Sequence, residues 1–334
     1  QKLMGWLVEA SYSANRVTHM SAGNYDMNQL DPQYLALGLA LQNQVPNPYR
    51  GIVPGSLGAA NIARSQLLRP FPYYNQVSVL APTLGSSSYH ALLVSVERRL
   101  SKGFGLLVSY TNGKLLSDSI RTTAIGGEQA GITGYQNGKF NRRSEWSLDP
   151  TDVSQRLVVS GLYELPFGRG KSVDVRSRFW NSLTGGWQTN VISTLQTGLP
   201  VVVRGANNFL ADRPNSTGAS AKLDNRSARR WFDTSQFVNP PSFTYGNVGR
   251  VLPDVRSPGT VNFDFSMIKD TPLREGVRLQ FRGEAFNVLN HVNLGFPNAT
   301  FSPGSDGRNR SGNFAVITSA RDARIMQFGL KLIF

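Results

Sequence analysis

The chain has 334 residues, room for one large β domain or two ordinary ones, and its 35 Lys and Arg against 21 Asp and Glu give a formal charge of +14. Cysteine is absent, which excludes disulfide scaffolds and thiolate metal sites. Mean hydropathy is −0.25 and no apolar run approaches the roughly 18 residues of a membrane-crossing helix, while 33 glycines and 18 prolines promise many turns.

The chain opens at Gln1 directly on a strand-like segment, as expected of a portion of a longer chain. Side chains on a strand alternate faces, so apolar and polar residues in strict alternation mark a strand with two different environments. The first such segment is 3–13, with Met4, Trp6, Val8, Ala10 and Tyr12 opposite Leu7, Glu9 and Ser11. The second, 89–100, sets Leu92, Val94 and Val96 against Ser95, Glu97 and Arg99. A Ser101-Lys102-Gly103 turn leads to the third, 104–111, where Phe104, Leu106, Val108 and Tyr110 share a face. Segments 155–165 and 187–197 are the fourth and fifth, closed by Pro166 and by Gly198 with Pro200.

The sixth, 260–268, carries Val261, Phe263, Phe265 and Met267 opposite Asn262, Asp264 and Ser266. In the seventh, 277–288, Arg278, Gln280, Arg282 and Glu284 oppose Leu279, Phe281, Gly283 and Ala285. The last ten residues form the eighth, with Met326, Phe328, Leu330, Leu332 and Phe334 on one wholly apolar face. Chain ends usually fray into water, so an apolar strand ending on an aromatic residue needs an apolar surrounding. About ten tilted strand residues suffice to cross a bilayer.

The connections sort strictly. Those between the second and third and between the sixth and seventh strands are tight, and 167–186 is intermediate. The other four, about 14–88, 112–154, 198–259 and 289–320, are long and read as structureless. Long loops of that kind count against a compact soluble domain. Short turns on one side and long loops on the other are the habit of outer-membrane barrels. Arg278, Arg282, Glu284, Asp264, Glu97 and Lys331 all fall opposite the apolar stripe, where a wet or plugged lumen tolerates them. Trp6, Tyr12, Tyr110, Phe263, Phe328 and Phe334 on the apolar side suit a headgroup boundary. The expected fold is therefore an all-β, antiparallel transmembrane barrel portion in the outer membrane of a Gram-negative-type bacterium.

Several segments carry a resemblance. They are Ser88-Tyr89-His90-Ala91-Leu92, Glu97-Arg98-Arg99-Leu100-Ser101-Lys102-Gly103, Leu162-Tyr163-Glu164-Leu165-Pro166-Phe167-Gly168, Gln196-Thr197-Gly198-Leu199-Pro200 and Tyr245-Gly246-Asn247. The most specific is Phe281-Arg282-Gly283-Glu284-Ala285-Phe286-Asn287-Val288-Leu289-Asn290-His291 ahead of the terminal Phe334. In this order they resemble the carboxyl-terminal barrel half of TonB-dependent outer-membrane receptors, closest to the Oar-like subgroup with an amino-terminal carboxypeptidase-regulatory-like domain. The resemblance implies a barrel of about 22 strands with a plug. The eight strands of residues 1–334 would be its carboxyl-terminal part, with plug, TonB-contacting segment and amino-terminal domain outside this chain. It also implies energised uptake of a ligand and partnership with TonB through that plug. Met326, Phe328, Leu330, Leu332 and Phe334 would be the signal read by the barrel-assembly machinery.

Ligand contacts are expected among loop aromatics, with Tyr73, Tyr74, Trp231, Phe232, Phe237 and Tyr245 as candidates, although such rings equally pack loops against each other. The basic residues are dispersed but expected to enrich in the long loops, as at Arg226, Arg229 and Arg230, where they form a solvated surface, meet lipopolysaccharide phosphates or attract an anionic substrate. No cofactor or metal site is expected, His19, His90 and His291 being far apart. Asp149, Asp152 and Glu164 are scattered, and no nucleophile elbow, His-Glu-x-x-His or phosphate-loop motif occurs, which speaks against an enzyme. Positive charge without a zinc spacing or an RNP-like motif speaks against nucleic-acid binding. A surface adhesin or structural barrel without transport is the alternative reading.

Overall fold

The computed structural model describes residues 2–3, 5–21, 25–80, 82–119, 136, 139–210 and 212–334. Its centre is one antiparallel sheet built on eight long strands: β1 Trp6–Met20, β2 Gly85–Ser101, β3 Phe104–Ser117, β4 Gln155–Glu164, β5 Trp187–Gln196, β6 Thr260–Arg274, β7 Val277–Phe286 and β8 Ile325–Ile333. Each strand pairs only with its sequence neighbours, in the order β1 to β8, so the sheet is an up-and-down meander. Two short strands extend it, Lys2–Leu3 beside β1 and Ser147–Leu148 beside β3. The described strands form an open, unclosed sheet. No described helix is long and apolar enough to cross a membrane.

All eight expected strands are present, with one correction at the start. Leu3 does not continue into β1. It pairs with Trp6 across a turn at Gly5, whose φ is +87°, and Met4 lies outside the described residues. β1 instead runs seven residues beyond Ser13, because Ala14, Asn15, Arg16 and Val17 pair in register with β2 although their side chains lose the clean alternation. The β2–β3 hairpin closes on Lys102 and Gly103, both at positive φ (52° and 78°), a two-residue turn whose twist matches the strands.

Register makes the apolar stripe continuous. Val8 faces Val96, Val96 faces Val108, and Val108 faces Val159. Gly161 faces Val191, Val191 faces Phe265, and Phe265 faces Ala285. Ala285 faces Met326, and Phe281 faces Leu330. Through its middle one sheet face is thus apolar from first strand to last, with cations towards the strand ends (Arg98 opposite Trp6, Lys269 opposite Trp187), and large side chains stand exposed on it, Tyr12 at 68% and both Phe328 and Leu330 at 69%. A soluble sheet would bury that face against a second layer. The other face carries charge along the strands, part of it paired: Arg282 with Glu284 at 3.7 Å, Gln327 with Glu284, and Gln280 with Asp270 at 3.1 Å.

The long connections contradict the expectation that they lack structure. In the described residues they hold both hydrophobic core clusters, and of the long sheet strands only Ala91 and Ala285 add buried apolar side chains. Val201, Val203, Phe232, Phe237, Val248, Leu252 and Val255 from 197–259 pack with Ala299, Phe301, Phe314 and Ala315 from 287–324. A second cluster joins Leu30 and Leu41 to Phe243.

Candidate functional site: the long-connection platform

The platform is built from the four long connections, 21–84, 118–154, 197–259 and 287–324, and the third is its hub. Phe232, Phe237, Phe301 and Phe314 meet edge to face, with centroids 5.1–5.9 Å apart. Such pairs add about 0.5–1.5 kcal/mol each beyond the area they bury. Polar ties then fix the third connection to the second. Arg213 Nη2 donates to Glu145 Oε2 at 2.6 Å, with both side chains almost wholly buried. Arg256 pairs with Asp152 at 2.5 Å and also donates to the Asp152 and Gly198 carbonyls. Arg250 is 1% exposed and donates to the carbonyls of Ser117 and Ser119 at the head of β3. A buried guanidinium satisfied by several acceptors orients rigidly, because its donors form a planar fork.

The first connection joins through side-chain amides. Gln29 donates to the Gln136 carbonyl and to the Tyr245 hydroxyl, and Gln136 donates to the Gly246 carbonyl. Lys139 reaches the Met27 carbonyl. Burial, with the Asp31 charge adding to it, pushes the Tyr245 phenol up to about 12, so it stays protonated and can serve as both donor and acceptor. A Cβ on Gly246 would lie 2.0 Å from the Arg213 carbonyl oxygen, so the Tyr-Gly-Asn motif marks a backbone contact that only glycine permits.

The six aromatic candidates separate here. Phe232 and Phe237, at 0% and 2% exposure, are core residues of the platform and present no surface to a ligand. Trp231 packs against that core, donates its indole N–H to the Arg256 carbonyl and lies under the Arg226 guanidinium. Tyr245 is half-buried. Tyr73 and Tyr74 are exposed and adjoin Tyr49, with centroids at 5.0 Å (Tyr73–Tyr74) and 5.9 Å (Tyr49–Tyr73). The surface aromatic patch thus comprises Tyr73, Tyr74 and Tyr49, the last not singled out by the sequence.

The acidic residues considered for chemistry have structural partners. Asp149 accepts from Ser117 and Thr151, and Asp152 accepts from the Leu115 amide and Arg256. Glu164 pairs with Lys171 at 2.8 Å. The Phe-Asn-Val-Leu-Asn-His segment is a corner at the top of β7. Asn287 and Asn290 take positive φ (49° and 51°), where asparagine is tolerated better than most residues. Asn287 Oδ1 accepts from the His291 amide, and Asn290 Oδ1 accepts from the Arg324 amide just before β8. The corner therefore sets where β8 begins.

The expected enrichment of basic residues in the long connections does not hold. They carry 19 of the 35 basic and 13 of the 21 acidic residues over about three-fifths of the chain. The strands and short turns hold 16 basic and eight acidic residues, the denser excess.

An exposed apolar sheet face, a paired polar face and connections sorted by length define a membrane β-barrel wall. The chain belongs to the family described as "Outer membrane beta barrel domain", whose model matches residues 1–327. A search of curated proteins gives no match. The protein is located in a Gram-negative outer membrane; barrels of that membrane generally keep short turns on the periplasmic side and long loops outside.

Proposed function

We propose that the chain is the carboxyl-terminal wall of a barrel of about 22 strands that takes up a scarce ligand in a TonB-dependent manner. The reading rests on the ordered motif resemblance, and one structural observation supports it most. Four connections form a single packed platform rather than separate mobile loops. A surface receptor needs that rigidity, since a preorganised site pays less ordering entropy when it binds. In this reading the platform binds the ligand, Tyr73 and Tyr74 supply exposed ring surface, and the chain makes and breaks no covalent bond. Energy reaches it through a plug outside this chain that contacts TonB. The terminal face from Met326 to Phe334 is the part the assembly machinery reads, and lipopolysaccharide surrounds the platform.

The test compares growth of three strains on a panel of large nutrients, each supplied as the limiting source. One strain is intact, one lacks the parent gene and one lacks TonB. The expected result is at least one nutrient on which both deletions show the same defect. A parent-gene phenotype that persists unchanged without TonB would overturn the reading.

A further inference from the structure

The β4–β5 connection is the longest excursion on the periplasmic side, and it carries a short helix, α1 Arg178–Thr184, capped by the Ser177 hydroxyl. At 100° per residue, Phe179, Trp180 and Leu183 fall on one arc, and Arg178, Asn181 and Ser182 fall on the opposite one. The three apolar side chains are exposed at 69%, 56% and 54%. In a soluble domain a packed layer would cover such a face, and among the described residues none does.

The position of α1 says what meets that face. The indole N–H of Trp187 donates to the Leu183 carbonyl at 2.9 Å. Lys269 Nζ donates to the Leu183 and Gly185 carbonyls at 3.2 and 2.6 Å, and lies 5.1 Å from the Trp187 ring centroid. Trp187 and Lys269 are register partners on the apolar sheet face, continuous with Phe281 and Leu330. The helix is therefore pinned to the lipid side of the wall, at its periplasmic rim. Its polar arc borders a cavity of about 590 Å³ that Arg169, Lys171, Arg178 and Lys269 also line, with Asp270 the one carboxylate in the lining. Lys171 is paired with Glu164, whereas Arg169 and Arg178 are exposed. Residues 167–186 hold four basic residues and one acidic residue, which fits the local charge excess outside the platform.

We propose that this connection is a lipid anchor. Phe179, Trp180 and Leu183 enter the periplasmic leaflet, and the cavity behind them holds the phosphate of an anionic phospholipid headgroup through Arg169 and Arg178. Apolar side chains on one arc, and on the other a polar arc that brings Arg178 to a cavity lined by further cations, suit a helix lying in the membrane interface. Cationic pockets at the membrane boundary select anionic headgroups. The inference is independent of what the barrel transports.

Two measurements on the full-length protein test it. In nanodiscs containing lipids brominated near the carbonyl end of the acyl chain, tryptophan emission should be quenched through Trp180 as well as through Trp6 and Trp187 of the wall, and Trp180→Phe should lower the quenched fraction. Equal quenching in both proteins would overturn the insertion of α1. Native mass spectrometry after release from phosphatidylglycerol or phosphatidylcholine nanodiscs should show several-fold more retained phosphatidylglycerol. Arg169→Gln with Arg178→Gln should abolish the preference, and the Lys pair at the same positions should restore it. Equal retention of the two lipids by the unmodified protein would overturn the headgroup site, as would binding of inorganic phosphate with no lipid retained. The unmodified comparison decides the matter even if the Gln pair fails to assemble.

Discussion

Arg213 and Glu145 illustrate how single side chains hold the platform. Both are buried, and Glu145 accepts from Arg213 at 2.6 Å and from the Gln136 amide at 3.0 Å. Removing one partner leaves a buried charge, at a cost of about 3–5 kcal/mol. Arg213→Ala should make the long connections sensitive to added protease while leaving the heat-modifiable gel mobility of the barrel intact. An apolar pair at both positions should be far milder, and equal damage from the single and double replacements would contradict the desolvation account. Asp233 gives a pH signature in the same platform. The Gln236 amide, then Ser235 and Arg230, hold its carboxyl down at about 2 against the opposing effect of burial. A lowered value means that its contribution is present above the ordinary carboxylate value of 3.8 and is lost as pH falls from there through about 2. Pepsin cleavage beside Phe232 and Phe237 should therefore increase from pH 4 to pH 2. Asp233→Asn should flatten that increase, and an unchanged profile in the variant would remove Asp233 as its cause.

β8 has the same logic at the scale of an element. Leu330 lies on the lipid face opposite Phe281, and Lys331 lies on the lumen face opposite Gln280. Leu330→Arg should cost about 2–4 kcal/mol if it sits near the bilayer midplane. Lys331→Leu should change denaturant unfolding far less, and equal losses would contradict the assigned faces. Phe334→Ala should lower the surface yield without lowering synthesis, and normal yield would remove the terminal aromatic from the proposed assembly signal. These strands were legible in the sequence because period-two alternation is a local record of two environments, as in Leu279, Phe281, Gly283 and Ala285 of β7. The platform was not. Phe232, Phe237, Phe301 and Phe314 lie up to 82 residues apart in irregular backbone, so nothing periodic announces that they share a core. Arg250 and Arg256 likewise look like any loop cation, and only their distant acceptors near Ser117 and Asp152 show that they are internal ties. The start of the first strand was hidden for a simpler reason. Residues on both sides of Gly5 fit one alternation, and only the positive φ of that glycine breaks it.

For the whole molecule, the +14 charge is the property whose placement matters most. Were it gathered at the cell surface, lipopolysaccharide phosphates would be its obvious partner. The long connections instead have a modest excess, and part of it is committed within the protein. Arg226 stacks on Trp231, Arg230 pairs with Asp233 at 3.1 Å, and Arg213 and Arg256 hold carboxylates. Arg229, beside them, is exposed. Contact with lipopolysaccharide should therefore be a diffuse field effect rather than a built site. Such an effect is screened over about 10 Å at 0.1 M salt and about 3 Å at 1 M. Binding of the detergent-solubilised protein to lipopolysaccharide vesicles should weaken continuously over that range, and Arg229→Gln should reduce it only slightly. Salt-independent binding would remove electrostatics as the cause. A large loss from Arg229→Gln alone would replace the diffuse field with a local phosphate site on the third connection.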